Sequence, residues 1–123
     1  MKAAPKWAQD LTINALLWWE SQGNNPAIPE LVWRHGSRRS SSGTAWTKSK
    51  RIVITAGRDR TDQKLVLLHE IAHTLTPENA HHSDRFWDIA WALYRWAKLP
   101  IRYCVNREKT YKIGAMVSYR RTQ

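Results

Sequence analysis

The sequence predicts an α+β fold in a single domain. Three observations carry this: apolar residues at helical spacing near the N-terminus, three short strand-like runs between residues 31 and 55, and a return to helical spacing from about residue 61 to 98. Pro5 opens a first helix with Trp7, Leu11, Ala15 and Trp18 recurring at helical spacing, and Gly23 with Asn24-Asn25-Pro26 ends it. Leu31-Val32-Trp33-Arg34 and Thr44-Ala45-Trp46-Thr47 suit strands. Lys48-Ser49-Lys50 turns the chain into Arg51-Ile52-Val53-Ile54-Thr55, the strongest strand of the three. Asp59 or Thr61 caps a second helix over about 61–75, and Pro77-Glu78-Asn79 forms a loop. A third helix over about 83–98 stops before Pro100, and residues 101–108 are compatible with a further helical turn or two. The expected organisation is an N-terminal helix in 1–25, a sheet in 28–56, a helical pair in 60–98 and a basic tail in 99–123.

At 123 residues the chain can bury one core but not two. Its 42% hydrophobic and 24% charged content is that of a folded domain. No stretch approaches the roughly 18 apolar residues that would span a bilayer. Asp10, Thr12 and Asn14 interrupt the first apolar run, and no small-residue cleavage pattern follows, so a cytoplasmic protein is expected. The single cysteine, Cys104, excludes an internal disulfide and a cysteine-based zinc ribbon. The net charge of +10 gives a field that attracts nucleic acid, acidic membranes or acidic proteins. Basic residues gather in Arg34-His35-Gly36-Ser37-Arg38-Arg39, in Lys48 to Arg51, at Arg58 and Arg60, and from Arg102 to Arg121. They form either solvated surface or a phosphate-binding patch.

The chemistry concentrates in Leu67-Leu68-His69-Glu70-Ile71-Ala72-His73. Residues four apart on a helix share a face, so His69 and His73 can close on one Zn²⁺ from the same side. Glu70 lies about 100° round the helix, near enough to reach a metal-bound water without ligating the ion. Leu65, Leu67, Leu68, Ile71, Ala72 and Leu75 bury this helix on most faces, where His and Glu without partners would be costly. A catalytic zinc takes three protein ligands and one open position. The metzincin pattern is excluded because Asn79 stands where it needs a histidine. His82 is the favoured third ligand, four residues before Phe86 and on the core face of the third helix, with His81 as the alternative. His35 reads as a surface residue.

His69-Glu70-Ile71-Ala72-His73, followed by His82-Ser83-Asp84-Arg85-Phe86-Trp87, resembles the SprT-like and YgjP-like group of small zinc metallopeptidases. The resemblance is strong over about 64–91 and weaker over the strands at 31–55. It implies His69, His73 and His82 as zinc ligands and Glu70 as general base. It also implies a zincin-like α+β fold, with a small antiparallel sheet of about three strands packed on the active-site helix. An edge strand of that sheet would align an extended polypeptide substrate. SprT proteins often carry a four-cysteine ribbon after the catalytic part, which a lone Cys104 cannot supply, so the resemblance is to a minimal bacterial or phage-encoded version.

Trp87, Trp91 and Tyr94, with Phe86, Ala90, Leu93 and Ala97, wrap the third helix in apolar surface and read as core. Trp33 and Trp46 are core or groove. Tyr94, Tyr103, Tyr111 and His81 are candidate donors to an oxyanion, and Asp84 or Asp88 are candidate partners that orient a ligand imidazole. The rival readings are a nucleic-acid-binding protein with a mainly structural zinc, and a zinc amidohydrolase acting on a non-peptide substrate.

Overall fold

A computed structural model describes residues 3–76 and 82–123. The elements run α1 (Lys6–Ser21), β1 (Glu30–His35), β2 (Ser42–Trp46), β3 (Arg51–Ala56), α2 (Arg60–Leu75), α3 (Asp84–Trp96), α4 (Ile101–Glu108), a 3-10 turn (Lys109–Tyr111) and α5 (Lys112–Thr122). The architecture is α+β, as the alternation of periods predicts. No described helix is long and apolar enough to cross a membrane.

The sheet is mixed rather than antiparallel. Its order is β1-β3-β2, with β3 parallel to β1 and antiparallel to β2. The reason lies in β3, where Ile52, Val53 and Ile54 are all buried. A strand covered on both faces belongs in the middle of a sheet. The tight turn after β2 makes β3 antiparallel to it, and the connection 36–41 leaves β1 on the far side of β3.

Helix α2 packs across β2 and β3 and, together with α3, supplies about half of the buried apolar side chains. Asp59 caps it, its carboxylate accepting from the amide of Asp62 at 3.1 Å. Asp62 itself is buried and accepts from the amide of Ser41 at 2.6 Å, the hydroxyl of Tyr103 at 2.6 Å and Nε of Arg107 at 3.0 Å. Arg107 also donates to the carbonyl of Ser41 at 2.9 Å. A single buried carboxylate thus ties the start of β2 and the end of α4 to the first turn of α2.

The segment read as a basic tail folds as α4, the 3-10 turn and α5. Helix α5 lies on α3, where Trp91 Nε1 donates to the carbonyl of Ala115 at 3.0 Å and Ser118 and Arg121 both donate to Asp88. Among its described side chains the buried ones are Ala115 and Ser118, too small to print an amphipathic period on the sequence. Trp87, Trp91 and Tyr94 are core, as expected. Trp33 is core too, edge-on to Trp7 at 5.7 Å between ring centroids. Trp46 is exposed at the end of β2, beneath the guanidinium of Arg51.

Candidate metal centre

The last two turns of α2 present His69 and His73 on one face. Ser83 caps α3 by accepting from the amide of Phe86 at 3.3 Å, and His82 is the residue just before that cap. The cap therefore fixes where the chain delivers His82. Phe86, one turn into α3, stacks on His73 with centroids 4.1 Å apart and meets His69 edge-on at 4.9 Å.

The Nε2 atom of His82 lies 3.2 Å from Nε2 of His69 and 3.2 Å from Nε2 of His73, and one ligand atom from each histidine falls within 4.8 Å of the others. Zinc–nitrogen bonds of about 2.0–2.1 Å in a tetrahedron put ligand atoms roughly 3.3–3.4 Å apart. The two short separations match that edge, and an all-imidazole donor set suits zinc. The three residues therefore fit the ion that the His-Glu-x-x-His spacing implies. His81 lies outside the described residues, as do Pro77, Glu78 and Asn79.

The orienting partner of His69 is Glu108, not Asp84 or Asp88. A carboxylate oxygen of Glu108 sits 2.7 Å from Nδ1 of His69 and accepts from the hydroxyl of Tyr94 at 2.6 Å. Because an ionised carboxylate only accepts, Nδ1 carries the proton and Nε2 keeps its lone pair for the cleft. Asp84 stands in the first turn of α3, where charge favours the helix N-terminus, and Asp88 is committed to Ser118 and Arg121. Sequence reasoning missed Glu108. The signal available was an isolated acidic residue in a basic stretch: no other Asp or Glu follows Asp88.

Glu70 is buried at 6% exposure and faces β2 at Gly43. A Cβ on Gly43 would meet Cγ of Glu70 at 2.8 Å and the side chains of Ile54 and Val66 at 3.0 Å, so glycine makes room for the carboxylate there. Burial raises the carboxyl pKa of Glu70, the neighbouring His69 opposes that, and Glu108 adds to it.

The tyrosine candidates separate by position. Tyr94 is fully buried behind His69, and burial, then Glu108, push its phenol well above the ordinary range. It serves the Glu108 carboxylate and does not face the cleft. Tyr103 is occupied with Asp62. Tyr111, on the 3-10 turn, is 41% exposed, its ring centroid 4.3 Å from that of His82. It borders a cavity of 440 Å³ together with Gly43, Thr44, Ala45, Thr47, Glu70 and the three histidines. Burial, then Glu108 and Glu70, raise its pKa, so it stays a hydrogen-bond donor at neutral pH. His35 is exposed at the end of β1, on the opposite edge of the sheet from the β2 strand that borders this cleft. No protein-family model, characterised protein or solved structure matches the chain.

Proposed function

We propose that the chain is a zinc-dependent peptidase of SprT-like type that hydrolyses extended or unfolded polypeptide. The observation that carries this reading is the convergence of Nε2 of His69, His73 and His82 beside the Glu70 carboxylate, in a cleft bordered by an edge strand. His69, His73 and His82 would hold the ion, leaving one position for substrate or water. When bound, zinc supplies a Lewis acid that polarises the scissile carbonyl and makes a water acidic near neutral pH. Glu70 accepts the proton of the attacking water and passes it to the leaving amine. Tyr111 offers its hydroxyl to the oxygen that gains charge. Strand β2 pairs only with β3 among the described residues, and its outer edge presents backbone groups to which an extended peptide can add as a further strand.

The test combines metal analysis with hydrolysis of an unfolded protein substrate. Wild type, Glu70→Gln and His81→Ala should each bind about one zinc, and His69→Ala and His82→Ala should lose it. Hydrolysis should disappear in Glu70→Gln with its zinc retained. Folded wild type that takes up no zinc at neutral pH would sink the reading. Zinc uptake without turnover of any polypeptide would turn it toward a structural ion or a non-peptide amide.

A further inference from the structure

The positive charge of this chain is not spread evenly. Residues 31–58, which include nearly all of the sheet, contain seven Lys or Arg and no Asp or Glu. Two connections from this stretch lie against each other at one end of the sheet. The amide of Gly36 donates to Ala56 at 2.8 Å, that of Arg58 to Arg38 at 3.0 Å, and that of Asp59 to Arg39 at 3.1 Å. Gly57 makes the approach possible, since a Cβ there would collide with the carbonyls of Ser40 and Arg39. The pair is anchored from beneath by the Ser41 hydroxyl, which accepts from the amide of Gly57 at 2.7 Å, and by the Asp62 carboxylate on the Ser41 amide.

This zipper brings Arg34, Arg38, Arg39 and Arg58 to one end of the sheet, all exposed, with the exposed serines 37 and 40 between them. Arg39 pairs with Asp59 at 3.5 Å, a contact whose arginine is 83% exposed and so worth little. Arg34, Arg38 and Arg58 have no acidic partner among the described residues. A depression of 300 Å³ beside them is lined by Ser37, Arg38, Ser40 and Thr55.

From this ridge we infer a docking surface for the phosphodiester backbone of duplex nucleic acid, separate from the histidine cleft and indifferent to base sequence. Every cation on it is arginine, whose planar fork matches phosphate oxygens, and hydroxyls stand between them. None of the exposed large apolar side chains falls in these two connections, so nothing there inserts into a bilayer. No Trp, Tyr or Phe lies in these two connections to stack on unpaired bases, His35 at the end of β1 being the one aromatic ring beside them among the described residues, which favours duplex over single strands. The hydrogen-bonded connections fix the backbone from which the arginines extend, so only the side chains remain to be ordered on binding.

The experiment is fluorescence anisotropy of a labelled 20-base-pair DNA across a salt series, on the full chain. Four neutralised phosphates predict a slope of log affinity against log salt of about −3 to −4. Arg38→Gln with Arg58→Gln should lower that slope by about 2 and weaken binding roughly tenfold, with an unchanged melting temperature. Arg102→Gln with Arg120→Gln, two exposed residues on α4 and α5, is the charge-matched control and should do much less. Because no ridge residue belongs to the cleft, Glu70→Gln should bind DNA as wild type does, so this inference and the peptidase reading fail separately. Equal weakening by the control pair, an unchanged slope, or tighter binding to polyglutamate, dT20 or phosphatidylserine vesicles would overturn it.

Discussion

Glu108 holds the Nδ1 proton of His69 across 2.7 Å, from a helix 39 residues further along the chain. The same carboxylate oxygen accepts from Tyr94, so its position is fixed from two sides. Imidazole orientation in the cleft is therefore set by α4, which itself is pinned through Arg107 to Asp62 at the start of α2.

Glu108→Gln should weaken zinc binding by roughly 10–100-fold while the fold persists. A chelator competition read beside a thermal melt checks it. Glu108→Ala should also cost about 1–3 kcal/mol of stability, because the buried Tyr94 hydroxyl loses its acceptor. Wild-type zinc affinity in both variants would show that the contact does not tune the ligand.

At Gly43 an added methyl meets Glu70 before anything else. Gly43→Ala should destabilise by about 1–3 kcal/mol through overpacking and should lower peptide hydrolysis while zinc stays bound. Urea unfolding and metal content, measured on the same sample, separate the two effects.

Removing the buried carboxylate of Asp62 strands three donors at once. Asp62→Ala should cost about 3 kcal/mol or more, since Arg107 is left half-buried without its partner. A lower urea midpoint with an unchanged slope is the expected record, and a loss under 1 kcal/mol would contradict the role given to this side chain.

Tyr111→Phe keeps the ring over His82 and deletes the donor. Peptide hydrolysis should fall about 10²–10³-fold in kcat, with little change in KM and full zinc occupancy. Unaltered kcat would assign the oxyanion contact elsewhere.

Cys104 is fully buried, and burial, then Glu108, push its thiol from the ordinary 9.0 up to about 12. It should resist thiol reagents in the native protein and react once unfolded. The unfolded chain gives up this proton near pH 9 and the folded one holds it to about 12, so stability should fall as pH rises through that window. Cys104→Ala should make the decline between pH 9 and 10 shallower in thermal melts.

Much of this protein is written locally. The His69–His73 spacing, the Asp59 cap, the core face of α3 and the apolar run of β3 all express periods of a few residues, which a reader of the chain can follow. His82 stands out by its four-residue distance from Phe86, but it precedes the Ser83 cap of α3, so that cap and not a helical face delivers it to the other two histidines. What the chain alone left open are relations between distant segments. The parallel pairing of β1 with β3 depends on which strand is covered on both sides. Helix α5 buries alanine and serine and so prints no apolar period. Glu108 reaches His69, Gly43 makes space for Glu70, and Tyr111 rather than Tyr94 or Tyr103 borders the cleft, only because α4, β2 and the 3-10 turn pack around α2. Sequence periodicity states which face of an element is buried; which partner waits there is decided when the faces meet.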